Sequence, residues 1–137
     1  MVESGGPRGA EEEKEASPRP EYPRPQFVRQ EWLNLNGTWR FRMDDNNVGL
    51  RERWFAGNDF PDRILVPFSL EADLSGIGSR AFNPCVWYQR DFSVPPEWRG
   101  RSILLHFGAV DYRATVWVNG IVVASHEGGQ TPFHCDI

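Results

Sequence analysis

The chain has 137 residues, of which 39% are hydrophobic and 25% charged, and its net charge is −4 at pH 7. A length of this order suits one domain, and the acidic balance argues against nucleic-acid binding, which depends on a concentrated basic face. No apolar run approaches the roughly 20 residues that cross a bilayer, and the N-terminus has acidic residues where a signal peptide has an apolar stretch. We therefore predict a cytoplasmic protein that binds neither nucleic acid nor membrane.

The first 20 residues are predicted to form a disordered acidic tail. Few of their side chains are apolar, and the run Glu11-Glu12-Glu13-Lys14-Glu15 is highly charged. Such a segment buries too little surface to offset the entropy lost on ordering it. The folded domain is therefore expected to span residues 21–137.

The rest of the chain has the pattern of a β protein, with short apolar stretches between clusters of Gly, Pro, Asn and Asp. Trp39, Phe41 and Met43 alternate with polar residues, which is typical of a half-buried strand. Asn119-Gly120 between two β-branched runs predicts a hairpin, because both central residues of a type I′ turn need positive φ. Strands are predicted at 38–43, 63–66, 86–94, 103–107, 114–118, 121–123 and from 133 onwards.

Two segments between the predicted strands have a different pattern. Residues 48–55 carry apolar side chains at helix-like spacing, but Gly49 weakens a helix, so at most two helical turns are expected. Residues 71–84 are predicted to form a long loop rich in Gly and Ser. With six or seven strands and almost no helix, the sequence predicts an all-β antiparallel sandwich or barrel. The strand that begins at Phe133 is expected to lack its closing neighbour.

In the predicted strand that contains Trp87 and Arg90, the apolar and polar side chains do not separate cleanly onto two faces. Either Arg90 lies beneath an apolar row, or Trp87 lies outside among polar neighbours. Because a buried arginine needs a carboxylate partner, we expect Arg90 to stabilise the fold through an interstrand salt bridge, and we expect a structural role for Asp111 as well. Trp39 is expected to pack in the core or between domains rather than to form a sugar platform. Trp117 is expected to face either a second sheet or a further domain.

The cysteines and histidines predict no metal site, and no cofactor is expected. Cys85 and Cys135 lie in no metal-binding or redox spacing, so two reduced, partly buried thiols are favoured over a disulfide. The spacing of His106, His126 and His134 fits no compact metal site, and two of them fall on the outward phase of strands.

Several motifs occur in an order that resembles one known family. They are Glu21-Tyr22-Pro23-Arg24-Pro25, Leu35-Asn36-Gly37-Thr38-Trp39-Arg40-Phe41, Val66-Pro67, Val86-Trp87-Tyr88-Gln89-Arg90, Trp98-Arg99-Gly100-Arg101, His106-Phe107-Gly108-Ala109-Val110-Asp111-Tyr112, Val116-Trp117-Val118-Asn119-Gly120 and His126-Glu127-Gly128-Gly129-Gln130-Thr131-Pro132-Phe133. Their order and spacing resemble the N-terminal sugar-binding domain of β-glucuronidases and β-galactosidases of glycoside hydrolase family 2. The run that ends in Thr131-Pro132-Phe133 looks especially similar to the β-glucuronidase branch. The resemblance implies an antiparallel jelly-roll β-sandwich, similar to galactose-binding domains, that lacks its final strands.

The resemblance also implies where the chemistry lies. In this family the two catalytic carboxylates belong to a (β/α)₈ barrel, a fold that takes about 250 residues by itself. The parent enzyme would thus hydrolyse O-glycosyl bonds in carbohydrate metabolism, whereas this chain would contain no catalytic residue and be inactive alone. Its expected partners are a carbohydrate and a C-terminal catalytic barrel, and the chain could also form an oligomer.

The loop at 76–84 is the part of the chain that the resemblance connects with sugar. In family members this loop can approach the mouth of the barrel, and Arg80 and Asn83 are the polar side chains best suited to sugar hydroxyls. For Asn83 the alternative is ordinary turn chemistry before Pro84. For the whole chain the alternatives are a free-standing carbohydrate-binding module and an oligomer-interface sandwich without catalysis, which the fold alone does not separate.

Overall fold

The computed structural model describes residues 17–22, 29–79 and 85–137. All strands in these ranges pair antiparallel, and the only helical segments there are 3-10 turns of three residues. The strands are β1 (Gly37–Met43), β2 (Asp62–Val66), β3 (Val86–Gln89), β4 (Leu104–Phe107), β5 (Arg113–Val118), β6 (Ile121–Glu127) and β7 (Phe133–Asp136). They form one sheet in the order β2-β1-β3 and two smaller sheets, β4-β7 and β5-β6. The predicted all-β antiparallel fold is confirmed.

β1 lies at the centre of the three-stranded sheet and carries apolar side chains on one face. Phe41 is fully buried on this face, and Ile64 of β2, which lies opposite Trp39, is also buried. Trp39 itself is half-buried, and its Nε1 donates a hydrogen bond to the Leu35 carbonyl at 2.7 Å. Trp39 therefore lies at the margin of the apolar layer rather than inside it.

The other face of this sheet packs against an aromatic cluster around Trp87. Trp87 lies opposite Arg42 in the β1-β3 register, so it points away from the Phe41 face. It is only 8% exposed, and its ring centroid lies 5.9 Å from that of Trp54 and 6.5 Å from that of Phe60, both edge-on. Of the two arrangements left open by the sequence, the structure has Trp87 inside.

Trp117 of β5 connects the β5-β6 hairpin to this cluster. Its ring stacks on Trp87 with centroids 5.2 Å apart, and on Phe55 with centroids 5.5 Å apart. A shift in the β5-β6 register between Val116 and Trp117 accompanies this orientation. Trp117 therefore faces a second sheet, which is one of the two predicted alternatives.

The hairpin turn and the β4-β7 pair agree with the sequence pattern. Asn119 and Gly120 both have positive φ, 50° and 78°. In the β4-β7 pair, Phe107 stacks on Phe133 with centroids 4.7 Å apart, and Cys135 is buried on the same face. Both cysteines are free thiols, as predicted.

Asp44, directly after β1, fixes the loop that supports the aromatic cluster. Its carboxylate is 2% exposed and accepts hydrogen bonds from the amides of Val48 at 2.7 Å and Gly49 at 2.8 Å, and from Trp87 Nε1 at 3.1 Å. Burial alone would raise the pKa of Asp44, but these hydrogen bonds and the charge of Arg42 outweigh it, so the pKa is lowered from 3.8. The residue is therefore an ionised structural anchor at neutral pH.

Replacing Gly49 with alanine is expected to destabilise the chain. A Cβ at this position would lie 2.5 to 2.6 Å from indole atoms of Trp87, which is buried and has no room to move away. We expect a loss of about 1–3 kcal/mol in the free energy of unfolding, measured by chemical denaturation. Gly108→Ala is the matched control, because a Cβ there would meet nothing within 4 Å. Equal stability of the two variants would contradict the close contact.

Asp44→Asn is expected to lower the free energy of unfolding at pH 7 by about 2 kcal/mol, because a charged acceptor of three hydrogen bonds becomes a neutral one. Since the folded-state pKa of Asp44 lies below 3.8, its contribution is present above that value and is lost as the pH falls through the folded-state pKa. The difference between wild type and variant should therefore shrink in acid. Denaturation curves at several pH values measure it, with the exposed Asp45→Asn as control. A difference that stayed constant into acid would refute the role of the charge.

Candidate functional site

The predicted sugar-contacting residues, Arg80 and Asn83, lie outside the described residues. Their role stays a prediction. The structure does describe both ends of the segment to which they belong, Ser79 on one side and Cys85 on the other.

The N-terminal end of this segment is tied to a compact loop centred on Ser75. The buried Ser75 hydroxyl donates to the Ala72 carbonyl at 2.7 Å and accepts from the Ile77 amide at 3.1 Å. The Ser79 amide then donates to the Leu70 carbonyl at 3.0 Å. Local hydrogen bonds therefore hold the chain in place as far as the residue before Arg80.

The C-terminal end of the segment is tied to the core. The Cys85 carbonyl accepts a hydrogen bond from the Asp44 amide at 3.0 Å, and β3 begins at the next residue. Burial raises the pKa of the Cys85 thiol, and the nearby Asp44 charge raises it further. Cys85 is thus a neutral thiol at this junction and not an activated nucleophile.

Arg90 donates hydrogen bonds to main-chain carbonyls instead of forming the predicted salt bridge. In the described ranges, no carboxylate lies within 4 Å of its guanidinium. Its Nη1 donates instead to the carbonyls of Asn36 at 3.2 Å and Thr38 at 3.4 Å. Gly37 allows this approach, because a Cβ there would lie 3.0 Å from Nη1. The acceptors are main-chain atoms, and no residue type in the sequence marks them.

A shallow groove of about 300 Å³ adjoins Arg90 on the same sheet. Arg40 is neutralised by Asp91 at 2.5 Å, whereas Arg63 and Arg90 donate to main-chain carbonyls. Gln89 Oε1 is buried and lacks a hydrogen-bond donor among the described residues. The groove is lined by Thr38, Arg40, Arg63, Gln89, Arg90 and Asp91. Its chemistry suits carboxylate and hydroxyl groups, which guanidinium groups bind well.

The loop before β5 and the chain after β6 lie in contact and carry polar side chains. The Gly128 amide donates to the Tyr112 carbonyl at 2.7 Å, and a Cβ on Gly129 would lie 2.8 Å from Asp111 Oδ1. The exposed pair Arg113–Glu127, 2.6 Å apart, joins the strands beside them. The chain directly after β6, at Gly128-Gly129, is therefore tied to the loop before β5, and Asp111 has a packing role there.

Neither a three-ligand metal site nor a membrane span is found in the parts of the chain that the structure describes. No group of three or more His, Cys, Asp or Glu residues there could hold an ion. No helix in those ranges has the length and apolar character to cross a membrane.

Arg90→Met is expected to destabilise the chain by about 1–3 kcal/mol, because the carbonyl groups of Asn36 and Thr38 lose a charged donor. Thermal and chemical denaturation measure the loss. Arg113→Met is the matched control, since it removes only an ion pair whose side chains are 73% and 52% exposed, and such pairs contribute at most about 1 kcal/mol. The structural role of Arg90 would be wrong if its variant were as stable as the control.

The chain is similar in sequence to several curated β-glucuronidases. The enzyme from Paenibacillus borealis is 37% identical over 120 residues, a match that covers 85% of this chain and 20% of the relative. The enzyme from Felis catus is 34% identical over 126 residues, covering 85% of this chain and 19% of the relative. This chain therefore spans about a fifth of the length of these relatives.

The fold is similar to solved β-glucuronidase structures. The enzyme from Ruminococcus gnavus, in complex with C6-substituted uronic isofagomine, matches with a TM-score of 0.67 and 35% identity over 74% of this chain and 18% of that chain. The enzyme from Lactobacillus rhamnosus matches with a TM-score of 0.67 and 36% identity over 74% of this chain and 17% of that chain. A family model described as "Glycosyl hydrolases family 2, sugar binding domain" matches residues 32–137. The chain belongs to this family of sugar-binding domains of glycosyl hydrolases.

Proposed function

We propose that this chain acts as the N-terminal sugar-binding domain of a β-glucuronidase and that a catalytic barrel in the same polypeptide hydrolyses the O-glycosyl bond. One observation carries the proposal. The chain aligns over 85% of its length with β-glucuronidases of which it covers about a fifth, and it has the fold of the same part of solved relatives. The domain would position the barrel and complete the rim of its sugar pocket.

The carboxylates in the described ranges support a positioning role rather than catalysis. A retaining glycosidase needs two carboxyl groups about 5 Å apart, one of them with a raised pKa so that it can donate a proton. Asp44, the buried carboxylate, has a lowered pKa and three hydrogen-bond donors. Asp91 and Glu127 form ion pairs with arginines at the surface. Proton transfer to a glycosidic oxygen would therefore be the task of the barrel.

We further propose that the segment with Arg80 and Asn83 contacts the sugar. Its two ends are held by the Ser79–Leu70 and Asp44–Cys85 hydrogen bonds, so it begins and ends at fixed points. A guanidinium group suits a carboxylate, and the ligand in the Ruminococcus gnavus structure is described as uronic. On this proposal the parent of this chain accepts a glucuronide.

A chimeric enzyme tests the proposal. Residues 32–137 replace the matching segment of the Paenibacillus borealis β-glucuronidase, and hydrolysis of 4-nitrophenyl β-D-glucuronide is measured. We expect activity clearly above that of the enzyme with the segment deleted. In the chimera, Arg80→Gln and Asn83→Ala should raise KM by about tenfold, the effect of about 1.4 kcal/mol of lost binding. Arg113→Met, at a surface ion pair, should leave KM unchanged.

The same assay on the 137-residue chain alone should show no turnover. Turnover by the chain alone, or a folded but inactive chimera, would contradict the proposal. Binding of a defined sugar by the isolated chain with micromolar affinity would favour the free-standing carbohydrate-binding module instead.

A further inference from the structure

A row of polar side chains crosses all three strands of the β2-β1-β3 sheet. Arg40 of β1 lies opposite Arg63 of β2 and opposite Gln89 of β3, so the three side chains point to the same face. They line the groove of about 300 Å³ next to Arg90 and Asp91. From this arrangement we propose that the groove binds a sugar acid, with its carboxylate on the arginines and a hydroxyl group on Gln89.

The groove has an excess of positive charge. Arg40 and Arg63 lie directly opposite each other, and like charges in that position destabilise a sheet. Asp91 compensates Arg40 at 2.5 Å, and Asp59 lies 3.9 Å from Arg40. In the ranges that the structure describes, no carboxylate lies within 4 Å of the Arg63 guanidinium. A bound anion would therefore offset a repulsion between two strands of the sheet.

Two arginines retain the edge of the guanidinium group that binds a carboxylate side-on. Arg63 donates through Nη1 to the carbonyls of Phe60 and Asp62, at 2.8 and 2.9 Å. Arg90 likewise donates through Nη1 to two main-chain carbonyls. Within the described ranges, neither residue has an acceptor on Nε or Nη2. These two nitrogens carry the parallel pair of donors that matches the two oxygens of a carboxylate.

Gln89 supplies the acceptor for a hydroxyl group. Its Oε1 is buried and has no hydrogen-bond donor among the described residues, which is costly to the folded state. The terminal torsion of a glutamine is soft, so the amide can turn Oε1 towards the groove that Gln89 lines. A sugar acid carries a carboxylate and hydroxyl donors on one ring, and this combination matches a row of arginines that ends in an amide.

The shape of the groove predicts weak binding. Its volume lies at the lower end of the range for small-molecule pockets, about 300–1,000 Å³, and Arg63 and Asp91 are exposed. Such a groove takes a single monosaccharide ring. Because water screens its charges, we expect a dissociation constant on the order of 1 mM. This value differs from the micromolar affinity of a free-standing module, and it is measured on the isolated chain without any catalysis.

Titration of sodium D-glucuronate into the isotope-labelled 137-residue chain, followed by NMR, tests the proposal. We expect saturable shifts of the Arg63 Nε–H signal and of the Arg40 and Gln89 amides. Arg63→Gln should weaken binding by about tenfold, and Arg63→Lys should recover only part of it, because a point charge lacks the parallel donors. Arg113→Gln, at the exposed ion pair of β5, is the matched control and should leave the affinity unchanged.

Gln89→Leu separates a sugar acid from a simple carboxylate. It should weaken glucuronate binding by about fivefold and leave acetate binding unchanged, because only the sugar offers a hydroxyl donor. The apolar side chain also removes the unsatisfied oxygen, so this variant should stay folded, which circular dichroism checks.

Absence of saturable shifts with glucuronate in the tens of millimolar would overturn the proposal, and so would equal affinity for D-glucose. Tighter binding of inorganic phosphate than of glucuronate would overturn the assignment to a sugar acid. Should Arg63→Gln fail to fold, Gln89→Glu takes its place, because a carboxylate opposite Arg40 competes with the ligand and should weaken binding by about tenfold. Unchanged glucuronate affinity in the folded variants of Arg63 and Gln89 would show that the groove is not the site.

Discussion

The hydrogen bonds that converge on the Asp44 carboxylate position the aromatic cluster through which two sheets of this domain pack. The residue directly follows β1, and its oxygens hold the Val48 and Gly49 amides and the Trp87 indole. Gly49 can then lie against the indole ring, where no side chain would fit. Trp87 in turn stacks on Trp117 of the β5-β6 hairpin. One buried charge therefore sets the position of an aromatic layer between two sheets, and its lowered pKa is the electrostatic consequence of that role.

The same residue connects the core with the segment proposed to meet the sugar. The Asp44 amide donates to Cys85, where the 80–84 segment ends, while the Ser79 amide holds its beginning. A side chain that must contact a substrate bound largely by another domain is useful only if its backbone is positioned in advance. Ser79 and Cys85, the described residues that flank the segment, are both held by main-chain hydrogen bonds.

The sequence predicted the features that follow from local rules. The Asn119-Gly120 hairpin and the burial of Phe41 depend on turn chemistry and on alternation within one strand. The face of Trp87 depends on packing against Trp54 and Phe60, which no local pattern shows. The acceptors of Arg90 are main-chain carbonyls, which are the same at every position of a sequence. These are the places where the predictions were open or wrong.

Two other features of the structure were not predicted, namely the Asp44 anchor and the contact between His106 and His134. The only sequence signal for the Asp44 anchor is an aspartate four and five residues before the Val48-Gly49 amides, a spacing common in ordinary turns. His106 and His134 come together only through the β4-β7 register, so their spacing in the sequence does not predict this contact.

The stability of the domain is distributed unevenly between these two regions. The Trp87 cluster combines buried rings, a buried carboxylate and hydrogen bonds from three parts of the chain. β7 is short and is held by its ladder with β4 and by the Phe107 and His126 rings against Phe133. Local opening begins where fewest buried contacts must break, which favours β7 over β3. Opening of β7 would break the Phe107 and His126 contacts with Phe133 while leaving the Asp44 hydrogen bonds unchanged.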